Sequence, residues 1–310
     1  MVNEHRRERH PSRDVEWPTI ALLVAVYAGW MLTTAFAADL GPWLTVPLLG
    51  VLLAQHSSLQ HEAIHGHPAG SQRLNDALVF PAVGLLVPYE RFRDLHLAHH
   101  HDPAVTDPYD DPETNYLDPA VWVRQQAPIR LLLAANNTLL GRMLIGPFIG
   151  TLDLWRRDLA LARTGDRRVR RAWLLHGLAV APVALWLWLA GSVSLAAYLA
   201  ACWLGLAILR IRTFLEHQAH ERAGARSVII EDRGPLALLF LNNNYHAVHH
   251  ANPGLAWYRL PGEFARRRDE WLRRNGGYGY RSYREVFARY LLRRKDPVAH
   301  PIWTAPGPPP

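Results

Sequence analysis

The chain has 310 residues, 49% of them hydrophobic and 12 of them tryptophan, with a formal net charge of +7. Its one cysteine, Cys202, excludes a disulfide framework, a thiolate zinc site and a Cys-ligated iron–sulfur cluster, so any metal must be held by His, Asp or Glu. Lys295 is the only lysine; arginines that flank apolar stretches, with no recognition motif, suit phosphate headgroups or an acidic protein rather than nucleic acid.

Residues 1–14 are polar and basic, and the apolar stretch from Trp17 to Ala38 is too long for a signal-peptide core, so it reads as a first membrane span. After Asp39-Leu40-Gly41-Pro42 a second span runs from Trp43 to about Leu59, closing a hairpin that leads into His61-Glu62-Ala63-Ile64-His65. The stretch from Leu74 to Val87 and the later one from Leu131 to Gly150 are shorter or interrupted by polar residues and proline, and are expected to be interfacial or half-inserted helices. Between them lies His96-Leu97-Ala98-His99-His100.

A second hairpin pairs Arg171 to Ala190 with Ser194 to Leu209 across Gly191-Ser192-Val193, and is followed by His217 and then by His246-Ala247-Val248-His249-His250. From Glu263 onward the chain reads as a basic amphipathic surface segment, ending in Pro306 to Pro310. Arginines such as Arg156, Arg163, Arg168, Arg171, Arg210 and Arg212 crowd the open ends of the hairpins while the tips carry none. The positive-inside rule then places both termini and all histidine clusters in the cytoplasm, with a bacterial inner membrane as the expected location.

His61 and His65 are four residues apart and share a helix face; His96 with His99 and His100, and His246 with His249 and His250, use separations of three and four to the same end. Imidazole is the commonest protein metal ligand, and these eight histidines exceed what one zinc ion could use. His217, directly after the fourth span, is a ninth candidate, with His220 a competing choice. Such a number suits two metal ions, each keeping an open position. Iron fits neutral nitrogen ligands and supplies redox chemistry that zinc cannot. Glu62, Glu216, Asp232, Asp107 and Asp111 are candidates to orient the ligand rings, and one of Asn242, Asn243 and Asn244 to hold a metal-bound water.

These boxes resemble those of the membrane fatty acid desaturase superfamily, which also contains alkane hydroxylases and carotenoid hydroxylases and ketolases. The family's H-x3-H is met by His61 and His65, its H-x2-H-H by His96, His99 and His100, its third box by His246, His249 and His250, and the histidine following its last span by His217. Thr106-Asp107-Pro108, Asp111-Pro112-Glu113 and Trp257-Tyr258-Arg259-Leu260-Pro261 resemble its flanking segments. The resemblance implies an all-α integral membrane four-helix bundle, capped by a cytoplasmic helical layer that holds two non-haem irons, with residues 1–310 forming one domain and 1–16 and 300–310 as flexible tails. It further implies O2 as co-substrate and a fatty acyl lipid as substrate, entering through a tunnel. Alkane or carotenoid hydroxylation or ketolation is the alternative, and His67, His101 and His220, which adjoin the boxes outside the pattern, are expected to orient ligands or serve structural roles rather than ligate directly.

With no flavin fingerprint and no cysteine cluster, the electrons must come from an external donor such as a ferredoxin or cytochrome. A rival reading comes from His61-Glu62-Ala63-Ile64-His65, which also satisfies the H-E-x-x-H signature of zinc metalloproteases, with Glu62 as general base. It leaves both H-x2-H-H boxes without purpose. A non-catalytic metal carrier would spread ionisable groups along a path through the bilayer, whereas here they gather at one surface.

Overall fold

A computed structural model describes residues 15–101 and 105–304 of the chain. Helix α1 (Trp17–Ala35) opens with Pro18 in its first turn, where a missing N–H costs nothing. A short α2 (Ala37–Leu40) and Gly41, whose φ of +69° suits glycine, reverse the chain into α3 (Pro42–Ile64). The second hairpin is α10 (Arg167–Leu189) and α11 (Leu195–Thr213), capped by Asp166 and Ser194 side chains that accept from backbone N–H groups of their first turns.

Three of these helices, α1, α10 and α11, are long and apolar enough to cross a membrane. The sequence led us to expect four. Helix α3 is as long, but its second half carries Gln55, His56, Ser58, His61 and Glu62, all buried, so its apolar character lapses where the first histidine box begins. It packs against both α1 and α11. The approach to α11 is close: a Cβ on Gly205 would stand 3.2 Å from the Gly50 carbonyl oxygen. Trp30 donates to the Tyr198 hydroxyl at 2.9 Å, and Trp186 to Thr34 at 3.0 Å, pinning α1 to the second hairpin.

The stretch from Leu74 to Val87 is not one half-inserted helix. Helix α4 (Gln72–Leu78) stops early, and the irregular chain after it places Val83 among Trp30, Val183, Tyr198 and Cys202. Non-helical backbone survives in such a place only when its polar groups find partners. Here Tyr27 donates to the Leu78 carbonyl, Tyr198 to that of Val83, His176 to that of Leu85 and Trp155 to that of Leu86, at 2.7 to 2.9 Å.

The second box lies on α5 (Tyr89–His101), followed by α6 (Pro119–Val123). The other expected half-inserted stretch, Leu131 to Gly150, is divided among α7 (Ala127–Asn136), α8 (Leu139–Leu144) and α9 (Gly146–Arg163). Thr138 caps α8 by accepting from the Gly141 N–H at 3.0 Å, which forces the first break.

Beyond α11 short helices alternate with turns, and the described residues there include a two-residue parallel pair, β1 (Ile229–Ile230) beside β2 (Gly279–Tyr280), Ile229 opposite Gly279. Helices α12 (Pro235–Leu239), α13 (His246–Ala251), α14 (Leu260–Arg266), α15 (Arg268–Arg274) and α16 (Tyr283–Tyr290) complete the fold. The segment from Glu263 is basic outside yet built into the core: Phe264 and Trp271 pack with Ile229, Tyr245 and Val248 beneath the third box. The expected flexible ends fall largely outside the described residues. The described parts are tied down instead, Glu16 by His67 at 2.8 Å and Trp303 by Asp107 at 3.0 Å, with His300 buried.

Candidate metal centre

All nine histidines singled out in the sequence come together, in two groups whose ring nitrogens lie within 4.8 Å of one another: His61, His65, His96, His100 and His249 in the first, His99, His217, His246 and His250 in the second. The division follows from helix geometry. Each residue advances about 100° around the axis, so i+4 lies about 40° to one side of i and i+3 about 60° to the other, and the two diverge by about 100° on the same face. Helix α5 therefore sends His96 and His100 to the first group and His99 to the second; α13 reverses the arrangement, with His246 and His250 in the second and His249 in the first. His61 and His65 come from the end of α3, and His217 from the strand-like segment after α11, where it bridges to Ser227.

The Nε2 atoms face inward. His65 and His96 approach to 3.0 Å, His100 and His249 to 3.2 Å, His99 and His217 to 2.9 Å, His217 and His246 to 3.0 Å. The far nitrogens are anchored: His99 Nδ1 donates to Asp111 at 2.7 Å, His96 Nδ1 to Glu113 at 3.0 Å, and His246 Nδ1 to the Asn243 side-chain oxygen at 3.1 Å. A carboxylate on Nδ1 fixes the tautomer that leaves Nε2 free.

Burial, reinforced by neighbouring imidazoles, holds His217, His246, His249 and His250 well below the ordinary histidine range and takes His100 down to about 2. His99 is the exception. Burial pulls it down too, but the Asp111 hydrogen bond and the charge of Glu113 outweigh that and raise it to about 9. Burial pushes Glu113 up, but the combined pull of His96, His99 and His100 outweighs it and holds the carboxyl well below its usual range, as an anion.

These rings fit a cation better than they fit one another. His99 and His246 both aim Nε2 at His217 Nε2, and with their Nδ1 protons committed a single proton can lie along only one of the two contacts. The other sets two lone pairs about 3.0 Å apart, which is also the separation of two nitrogens bound at about 2.1 Å and at right angles to one ion. His61 Nε2 and His250 Nε2 are buried without any hydrogen-bond partner, a costly state that a shared cation relieves.

A family model described as fatty acid desaturase matches residues 38–282, a span that contains every one of these histidines. The chain belongs to the fatty acid desaturase family. No curated protein matches it. Membership implies oxidoreductase activity of the desaturase type, a lipid substrate and association with a membrane, in keeping with the three apolar helices.

Among the orienting groups expected of this desaturase-family site, Asp111 holds His99, and Glu216 stands 3.7 Å from His246 while its charge is met by Arg212 at 2.9 Å. Asp107 and Asp232 do otherwise: they accept from backbone N–H groups of Tyr109 and Tyr283, stabilising turns. Asn243 orients His246 rather than standing over the metal side, and Asn244 ties Ile230 and Asp232 together. Sequence reasoning gave no role to Glu113, although it lies in the flagged Asp-Pro-Glu segment. His67, His101 and His220 stay outside both groups, bonded to Glu16, the Leu97 carbonyl and the Arg222 N–H.

Proposed function

We propose that this chain is a membrane-bound, O2-dependent di-iron oxidoreductase that introduces a double bond into a fatty acyl chain of a lipid. The observation that carries the reading is the division of nine imidazoles into two adjacent inward-facing groups in a desaturase-family chain. One iron would be held by His61, His65, His96, His100 and His249, the other by His99, His217, His246 and His250. Such a centre supplies activation of O2 for removal of hydrogen from an unactivated C–H bond.

The chain's own residues have separable tasks. Asp111, Glu113 and Asn243 hold three ligand rings by Nδ1, keeping Nε2 lone pairs aimed inward before metal arrives. Burial keeps most of the rings neutral, so few protons must be displaced on loading. With a single cysteine in the chain, electrons would come from a separate ferredoxin- or cytochrome-like donor at the arginine-rich face. Helix α3 would serve as a fourth crossing, one domain would span the chain, and the metal site and termini would face the cytoplasm of a bacterial inner membrane.

Hydroxylation or ketolation of an alkyl chain or carotenoid uses the same centre and differs in whether oxygen is returned to the carbon. The protease reading fares worse. Glu62 lies 3.9 Å from His61 Nδ1, behind the ring, and accepts from the Trp257 N–H, so it does not face the metal side. Metal analysis of purified protein should give two irons per chain, and lipids of a host expressing it should show loss of two hydrogens. One zinc per chain, or lipids unchanged in an aerobic host supplying a donor, would overturn the proposal.

A further inference from the structure

A cavity of about 590 Å³ lies between α5, α9 and α11 and reaches His217, Asp111 and Glu113 of the metal site. Part of its wall is apolar, through Phe92, Leu95, Leu206 and Leu209; the rest is polar or charged. By count the six cations and six carboxylates of the wall balance, but they do not all pair directly. Each carboxylate in the wall is already engaged: Asp158 by Arg91, Asp153 by Arg157, Glu216 by Arg212, Asp296 by Lys295, and Asp111 and Glu113 by imidazoles. Two guanidinium groups are left over.

Arg142 is buried and donates only to neutral acceptors, the Asn136 carbonyl and the side-chain oxygens of Asn137 and Asn115. Arg210 makes no direct hydrogen bond or ion pair among the described residues, with Glu113 and Glu216 acting on it only at longer range, and it lines the cavity. The two side chains meet α9 on the face that carries a pair of glycines. A Cβ on Gly146 would stand 3.1 Å from Arg142 Cδ and 3.6 Å from Arg210 Cδ, and one on Gly150 would collide with the Arg210 guanidinium. Two neighbouring cations, one bound to neutral groups and one to none, in a wall whose four other cations each pair directly with a carboxylate, form a site for an anion.

We propose that Arg142 and Arg210 bind the oxyanion headgroup of the lipid substrate, a carboxylate or a phosphate ester, while its alkyl chain follows the apolar wall. This rests on the desaturase reading for the identity of the ligand as a substrate. The shared chemistry is an oxyanion on an acyl chain; a free fatty acid and an acyl thioester of a phosphate-bearing carrier are its two sources. Arginine rather than lysine at both positions suits bidentate oxyanion recognition.

The test is equilibrium binding to the full-length protein in a neutral detergent, using stearate, stearoyl-CoA and methyl stearate as probes. Arg142→Gln and Arg210→Gln should each weaken the anionic probe that binds by tenfold or more, about 1.4 kcal/mol or above, and leave methyl stearate unchanged. Tight stearate identifies the carboxylate, and tight stearoyl-CoA the phosphate ester. Gly150→Ala keeps both arginines but displaces one, and should weaken the same probe. Unchanged anion affinity in both arginine variants overturns the proposal, as does an equal loss for methyl stearate, which would make the arginines structural. Iron content measured on the same samples separates the two readings: two irons with no anion binding removes this inference alone, whereas anion binding without iron upholds it and removes the di-iron centre.

Discussion

The rings of His100 and His250 stack face to face, 4.2 Å between centroids and 9° from parallel, although one belongs to the five-imidazole group and the other to the four. The two groups thus share a wall of imidazole. Each H-x2-H-H box ends in two adjacent histidines because adjacent residues on a helix diverge by about 100°, and a box at the seam must serve both sides.

Single substitutions should therefore remove one metal first. His249→Ala deprives the first group and His99→Ala the second, so iron per chain should fall from two toward one in each variant, turnover should be lost, and far-ultraviolet circular dichroism should keep its helical signal. Full activity in either variant would take that residue out of the ligand set.

The histidine spacing made the ligands legible because i, i+3 and i+4 relations are local. Their allocation to two groups was not, since it depends on how α5 and α13 face each other across sequence-distant chain. Glu113 escaped notice for the same reason: only tertiary structure brings its carboxylate to His96 Nδ1. Periodicity likewise could not show that Leu74 to Val87 leaves the helix at Leu78, because the partners that satisfy its carbonyls, Tyr198, His176 and Trp155, lie far along the chain. The hairpins, by contrast, announce themselves through apolar length and end-weighted arginine, with α3 blurred where ligands replace apolar residues.

Asp111 and Glu113 act on metal only through His99 and His96. Asp111→Asn and Glu113→Gln should each weaken iron retention against a chelator by roughly 10–100-fold, with the ligands still present. Retention equal to that of the unmodified protein would show that the rings are held by packing alone.

In metal-free protein, pH should act through the imidazoles. His217, His246, His249 and His250 are held neutral in the fold chiefly by burial. The unfolded chain takes up protons on these groups below about pH 6.5, so it binds more protons than the native state and stability falls on acidification. His99, raised to about 9 against burial by Asp111 and Glu113, runs the other way: its contribution is complete below about pH 6.5 and lost as pH rises through 9. With His100, also lowered by burial, five groups oppose one, so the melting temperature of the iron-free protein should drop between about pH 7 and about pH 5, and Asp111→Asn should steepen the drop. A melting temperature that rises over that interval would contradict the neutral state of the buried rings.

The contact of α3 with α11 gives a packing test. A Cβ on Gly205 would meet Leu53 Cβ at 3.1 Å and the Gly50 carbonyl oxygen at 3.2 Å, atoms that move only if the helices part. Gly205→Val should cost about 1–3 kcal/mol and lower the melting temperature in detergent. Gly177→Val on α10, where nothing lies within 4 Å, should leave it nearly unchanged.

Orientation in the membrane can be read by thiol labelling, because Cys202 is buried and supplies no background. Arg168 is exposed at the start of α10 and Ala190 at its end, so the ends of one apolar helix provide a matched pair. The arginines beside residue 168 should keep that end in the cytoplasm, since moving such a cluster across the bilayer against the membrane potential is unfavourable. Arg168→Cys should then react with a membrane-impermeant maleimide only after the cytoplasmic side is opened, and Ala190→Cys in intact cells. The opposite pattern would put the histidine groups outside, away from any cytoplasmic electron donor, and the proposed oxidoreductase could not be reduced as argued.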